Sequence, residues 1–287
     1  MVAIGDLVVR KSHGKDIIFK VIDIDETYRR CMLKGMHLRL VADAPQSDLE
    51  SITAEALRNE VVQMERVQRS GLERAFDRRK GERRQMDLFR GDSPKKFCFF
   101  DIPGTVLHID GDEEYMRMCL KTYRQLSIRA YGKCIDEAKQ PECIQSLLEQ
   151  YRPDILVLTG HDAIVGGKKD LKDINNYRHS KYFVASVKKA RQFEPNRDDL
   201  VIFAGACQSH FEAILNSGAN FASSPTRIFI HAYDPVFIAE KVAFTPINRT
   251  VDVGDAITAS VTGVEGVGGV ETRGKFRMGL PRTPYGC

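Results

Sequence analysis

The chain has 287 residues, 43% of them hydrophobic and 29% charged, the balance of a globular protein with room for one or two domains and a sizeable core. Its apolar runs fall well short of the roughly 18 residues a membrane span needs. The opening "MVAIGDLVVRKSHGKD" lacks the basic start and long apolar core of a secretory signal, so synthesis in the cytoplasm is expected and a membrane partner is not. The formal net charge of +4 is local: positions 64–96 hold 11 Lys and Arg against 6 Asp and Glu, while the remainder is balanced at 32 against 33.

In chain order, "DLVVR", "IIFKVIDI", "RRCMLKGM" and "LRLVADA" read as short strands separated by turn-prone segments. Strands this short and close predict a small antiparallel β-barrel, SH3-like, over residues 1–55. The basic stretch follows, predicted as an exposed, mobile linker over 56–96, because Gly71, Gly81, Gly91 and Pro94 interrupt a segment poor in apolar residues. A nucleic-acid arm is the functional alternative, but acidic residues are interspersed and aromatics are few.

From residue 97 to 287 strands and helices alternate. "VLHIDGD" is a strand ending in acids, and "EEYMRMCLKTYRQL" is an amphipathic helix. "SIRAYGKCID" is a strand, and "PECIQSLLEQY" a helix beginning at Pro141. "DILVLTGHDA" and "DLVIFAGACQ" are strands, followed by the helices "SKYFVASVKKARQF" and "SHFEAILNSGA". This order predicts an α/β domain with a mostly parallel sheet and helices on both faces. "RIFIHAYDPVFIAEKVAFT" reads as further strands or a hairpin, "GVEGVGGVETRG" as a flexible loop and "LPRTPYGC" as a tail.

In such a sheet, functional groups gather outside the carboxyl ends of the strands. Two apolar strands end there in reactive side chains: "ILVLTGHDA" delivers His161 and "LVIFAGACQSH" delivers Cys207, 46 residues on. One helix separates them, so the strands are candidate neighbours. Gly160 before the histidine, and Gly205 and Ala206 before the cysteine, permit tight turns and close approach of a substrate backbone. A thiol is mostly protonated at neutral pH while the thiolate is the nucleophile, so a nearby imidazole makes the pair chemically useful. Cys207 also precedes a predicted helix, whose N-terminal amides favour a thiolate and an oxyanion. One structural cysteine beside one core histidine is the plainer reading.

The other candidates are weaker. The seven cysteines form no C-x-x-C pair, so a zinc ribbon or dithiol site is not indicated, and most are expected reduced and buried. His210, three residues after Cys207, is an alternative base. His108 reads as a core histidine, His13, His37 and His179 as surface residues, and His231 as uninformative. Asp162 either orients His161 or caps a turn. No metal-ligand spacing and no nucleotide-binding glycine motif is present, and no cofactor is expected.

An apolar strand ending in His, then one ending in Ala-Cys, resembles the caspase-like cysteine peptidases, although "GACQS" and "GHDA" depart from the caspase motifs. A closer resemblance covers nearly the whole chain. "IGDLVVRKSHGKDIIFKVIDI", "PGTVLHIDGDEEYMRMCLKTYRQL", "LTGHDA" and "GACQSHFEAILNSGANFASSP" resemble the YabG family of sporulation-specific peptidases. That resemblance implies a caspase-like peptidase domain. It also implies an enzyme made in the mother-cell cytoplasm that processes spore coat and cortex-associated proteins after arginine, with Cys207 as nucleophile and His161 as its partner. Gly160 and Cys207 are the candidate oxyanion amides. The rival is a non-enzymatic spore-coat or nucleic-acid adaptor using the barrel and basic arm.

An arginine-specific pocket calls for a carboxylate. In caspase-like folds the end of the first strand borders that pocket. This points to Asp110, with Asp162 or Asp234 next; helix capping is the plainer role for Asp112. An enzyme cutting after arginine meets its own arginines first in the basic segment. Self-cleavage is therefore expected after one or more of Arg66, Arg69, Arg74, Arg78, Arg79, Arg83, Arg84 and Arg90. Cys207 is expected to alkylate fastest among the cysteines.

Overall fold

The computed structural model describes residues 2–90, 99–165 and 170–280. Five strands come first: β1 (Leu7–Arg10), β2 (Ile18–Asp25), β3 (Arg30–Gly35), β4 (Val41–Pro45) and β5 (Leu49–Ser51). They form an antiparallel sheet in the order β4-β3-β2-β1-β5. The predicted closed barrel is not formed, because β4 and β5 are the two edges and do not pair with each other among the described residues. One face instead carries Val8, Phe19, Val21, Leu33 and Leu49 into a core shared with Cys207 and Ile230 of the α/β part. A sheet that buries one face against another layer has no need to close on itself.

The basic segment is α1 (Ala54–Arg90), a 37-residue helix, not an extended linker; residues 91–96 of the expected linker lie outside the described residues. Its buried contact is narrow. Met64, Leu72 and Ala75 face the core, and Gly71 lies against the Phe237 ring, where an added Cβ would come within 2.1 Å. Arg79 donates to Glu240 at 2.7 Å and stacks over Phe244, 3.2 Å from the ring centroid. Several of the arginines expected to be cut are thus held in a helix, away from the extended conformation that proteolysis requires.

Next come β6 (Phe100–Ile102), β7 (Val106–Asp110), α2 (Glu113–Gln125), β8 (Ala130–Cys134), α3 (Gln140–Tyr151), β9 (Ile155–Thr159), α4 (Ser180–Phe193), β10 (Val201–Ala204), α5 (Phe211–Asn216) and β11 (Phe221–Ser223). The chain closes with α6 (Asp234–Phe244), β12 (Thr250–Val251), α7 (Val253–Ala259), β13 (Val267–Gly269), β14 (Thr272–Arg273) and β15 (Arg277–Gly279). The main sheet runs β13-β11-β10-β9-β7-β8, parallel except for β13. Its strands are apolar on both faces. Val106, Ile155, Val157, Val201 and Phe203 face α2, α6 and α7; Leu107, Ile109, Leu156, Leu158 and Ile202 face α3, α4 and α5. This is the burial that all-parallel strands require.

Where a strand or hairpin is predicted at 227–245, α6 forms instead. Every residue from Asp234 to Ala243 is buried, including the ion-paired Glu240 and Lys241, so the helix is covered on all sides and shows no clear amphipathic period. Pro235 in its first turn is the local start signal. The predicted loop at 263–274 contains β13, paired with β11, and β14, paired with β12, and α7 precedes it.

Candidate active site

Strands β9 and β10 are immediate neighbours, with Leu158 opposite Ala204, so the loops carrying His161 and Cys207 leave the same edge of the sheet side by side. Strand β7 lies on the other side of β9, with Asp110 opposite Thr159. The turn after β10 depends on Gly205, whose φ of +115° suits only glycine, and on Gln208 at φ +55°. It aims the Cys207 side chain inward, and the residue is fully buried. The helix does not begin at this turn: α5 starts at Phe211 with His210 as its N-cap, so the expected helix dipole at Cys207 is absent. The backbone N–H of Ile230 donates to Cys207 Sγ at 3.2 Å. That bond favours a thiolate, but burial outweighs it and pushes the thiol up to about 12.

His161 sits among carboxylates. Its backbone N–H donates to Glu137 Oε1 at 2.6 Å, and its Nδ1 lies 3.5 Å from the same oxygen. Its Nε2 lies 3.5 Å from Asp112 Oδ2 and has no hydrogen-bond partner, and the ring tilts against Tyr115, 5.7 Å between centroids. Burial pushes the Glu137 carboxyl up, but hydrogen bonds from His161 outweigh it and hold the group below its usual range. Glu137 fits here because Gly111 and Gly160 lack side chains; a Cβ on either would collide with its carboxylate. Sequence reasoning missed Glu137. The signal was present, since it follows β8 at the same carboxyl edge as the other candidates.

Asp162 is a brace. Its carboxylate accepts from the N–H groups of Ala163 and His179 and from the hydroxyls of Ser180 and Ser209. Ser209 in turn accepts from the N–H of Ala206, so Asp162 ties the His161 loop to the Cys207 turn. With these donors engaged and the residue buried, it offers no carboxylate to a substrate, and the substrate-binding role expected for it does not fit. Asp234 is likewise consumed, accepting from His231, Val261 and Thr262. Asp112 caps α2, as its plainer role requires, and pairs with Lys34 of β3 at 2.8 Å.

Asp110 is buried and already holds an arginine. Arg39 Nη1 donates to its Oδ2 at 2.5 Å, Thr159 donates to the same oxygen at 2.9 Å, and His108 Nε2 lies 3.5 Å away. Burial raises this carboxyl's pKa, but Arg39 and His108 overcome that and hold it well below the carboxylate range. His108 is the core histidine the sequence predicts. His210 caps α5 and bonds Lys172 O at 2.9 Å, a structural setting. His179 is no surface residue in isolation, since its Nδ1 bonds His161 O at 2.7 Å.

His37 and His231 flank the Arg39 hairpin, with Leu38 bridged to His231. Burial lowers both histidines to about 4. Unfolded histidine takes up its proton near 6.5, so between pH 6.5 and 4 the unfolded chain binds more protons than the folded one. Stability is therefore expected to fall across that window, by about 1–3 kcal/mol for each histidine. Thermal midpoints measured from pH 8 to pH 4 check this; a flat profile between 6.5 and 4 contradicts it.

Beside the two loops lies a cleft of about 570 Å³, lined by Ala163, Ile164 and Gln208, by Phe229, and by Leu40 and Val41 of the N-terminal part. Among the described residues no group of three or more metal-ligating side chains occurs, and no helix is long and apolar enough to cross a membrane. The five described cysteines are free, with Cys134 exposed and Cys207 buried.

Residues 3–281 match the family model for YabG peptidase U57. The chain is 42% identical over 282 residues to the sporulation-specific protease YabG of Bacillus subtilis (strain 168), with 97% of each chain covered. A thiol and an imidazole at adjacent strand ends, inside a match of this extent, lead to one conclusion: the chain belongs to the YabG peptidase U57 family.

Proposed function

We propose that this protein is a sporulation-specific cysteine endopeptidase that cuts protein substrates after arginine, with Cys207 as nucleophile and His161 as acid–base partner. The observation that carries the reading is the delivery of His161 and Cys207 to one edge of the sheet by the adjacent strands β9 and β10. The parallel run of β10, β9 and β7, which places all three carboxyl ends together, supports it. His161 takes the thiol proton, and the thiolate attacks the carbonyl carbon after the substrate's arginine. The backbone N–H groups of Gly160 and Cys207 are the proposed oxyanion donors. His161 returns the proton to the leaving amine, and water releases the acyl group. Glu137 orients the imidazole through Nδ1, as the third member of a triad does. The natural substrates in this reading are spore coat and cortex-associated proteins, met in the mother cell and on the coat.

The test is cleavage of an arginine-containing peptide by purified protein, with and without a thiol-blocking reagent that has been allowed to react to completion. Cleavage that survives full blocking of Cys207 overturns the reading. His161→Ala is expected to lower kcat/KM by about 10²-fold or more, the scale of acid–base assistance. His210→Ala, which removes a helix cap and the bond to Lys172 O, is expected to cost much less. The reverse ranking would transfer the role to His210.

A further inference from the structure

One arginine of the chain is itself bound as this peptidase would bind a substrate's. Arg39 stands at the tip of the β3–β4 hairpin, closed by Gly35 N–H donating to Leu40 O at 2.9 Å and by a tight turn from Leu40 N–H to Leu38 O at 2.7 Å. The tip runs antiparallel to the segment just beyond Cys207's neighbours. Ala232 N–H donates to His37 O at 2.9 Å, and Arg39 N–H lies 3.5 Å from Ile230 O. Its guanidinium enters a fully buried pocket, donating to Asp110 and, at 3.3 Å, to Ala232 O, with the Tyr115 ring 5.1 Å from its centre. The Ile230 carbonyl that faces its backbone N–H also accepts from the Cys207 thiol at 3.7 Å, and the Ile230 N–H donates to the same sulfur at 3.2 Å.

We propose that the pocket of Asp110, Tyr115 and Ala232 O is the primary specificity pocket for an arginine side chain on an extended peptide, and that Arg39 is its built-in occupant. The proposal rests on the arginine-specific reading above. A ladder of main-chain bonds for an extended segment, a carboxylate for the guanidinium and a thiol bonded to Ile230, the residue paired with that arginine, are what recognition of an arginine before the cut bond demands. An ion pair serving cohesion alone needs neither the ladder nor the thiol, and a buried pair adds little stability over apolar packing. The fit is also incomplete: Arg39 Nε and both ring nitrogens of His37 are buried without a hydrogen-bond partner. Tyr115 serves both sides of the arrangement, since its hydroxyl donates to Leu38 O at 2.7 Å and its ring faces His161. A substrate gains the pocket, and access to the buried thiol, only by displacing residues 36–39.

The experiment uses the full chain with Cys207→Ala, so that nothing is cut. The probes are an acetylated tetrapeptide with one internal arginine and its citrulline counterpart, which has the same shape without the charge. Arg39→Ala in this background is expected to lower the thermal midpoint by on the order of 10 °C, through the unpaired buried Asp110. The arginine peptide should restore part of that loss and the citrulline peptide none, while the parent with Arg39 should respond to neither. Arg39→Lys, which keeps the charge and guards against misfolding, is expected to bind the arginine peptide about tenfold or more tighter than the parent, because a weaker occupant taxes binding less. With Cys207 intact, Arg39→Lys should lower KM and leave kcat nearly unchanged. Equal binding by parent and Arg39→Lys, or equal effects of arginine and citrulline peptides, overturns the proposal. Tighter binding without cleavage by any variant would leave the pocket standing and remove the peptidase reading; cleavage with unchanged binding would do the opposite.

Discussion

Cys207→Ala is expected to abolish cleavage of arginine peptides, to below about a thousandth of the parent rate, while the fold persists. In the proposed mechanism the acyl-enzyme forms on this sulfur, so its removal stops the reaction. The structural cost is small by comparison. One sulfur atom is removed from the core between the two layers, along with its bond from the Ile230 N–H, for about 1–2 kcal/mol. Cys119 is the necessary control. It too is fully buried and pushed up to about 12 by burial, and it lies 3.6 Å from Arg39. Burial and a raised pKa therefore do not distinguish the two thiols; the proposed role of Cys207 rests on its position at the end of β10. If Cys119→Ala or Cys143→Ala is equally inactive at parent stability, the assignment to Cys207 fails. The structure also reverses an expectation about labelling. Among the five described cysteines Cys134 is the exposed one and should alkylate before Cys207, which should react only as the Arg39 hairpin leaves.

The parallel sheet and the two reactive strand ends were legible because their causes are local. Ile155–Thr159 and Val201–Ala204 are apolar throughout, and each is followed by small residues and then a polar functional group. The segments misread have causes that are not local. Helix α1 lacks a broad apolar stripe, and what holds it is the fit of Gly71 to Phe237 and of Arg79 to Glu240, more than 160 residues away. Helix α6 is buried on every side, so no period separates it from a strand. The same distinction divides the site. His161 and Cys207 announce themselves, whereas Arg39 reads as one more surface arginine until the fold carries it to Asp110, 71 residues on. Asp110 was legible as a carboxylate awaiting an arginine; that the chain supplies one was not.

Asp110→Ala is expected to cost about 3–5 kcal/mol of stability, the usual penalty for leaving one member of a buried ion pair without its partner. The Arg39 guanidinium would stay buried with Ala232 O as its remaining oxygen acceptor, and Thr159 and the Asp112 N–H would lose their contacts with the carboxylate. Asp110→Asn keeps the shape and one acceptor oxygen but loses the charge, so its cost should be intermediate. Combining Asp110→Ala with Arg39→Ala should recover part of the loss, since the unpaired cation goes with its partner; the coupling from the four midpoints isolates the pair. These measurements belong in the Cys207→Ala background, where self-digestion does not intrude. In the active enzyme, Asp110→Asn should raise KM for arginine peptides far more than for peptides with a neutral residue at that position. A midpoint unchanged within about 2 °C in Asp110→Ala would show that the pair carries little of the fold. An unchanged preference for arginine in Asp110→Asn would take the specificity pocket elsewhere, with Asp112 and Glu137, the carboxylates nearest His161, as the remaining acids at this edge of the sheet.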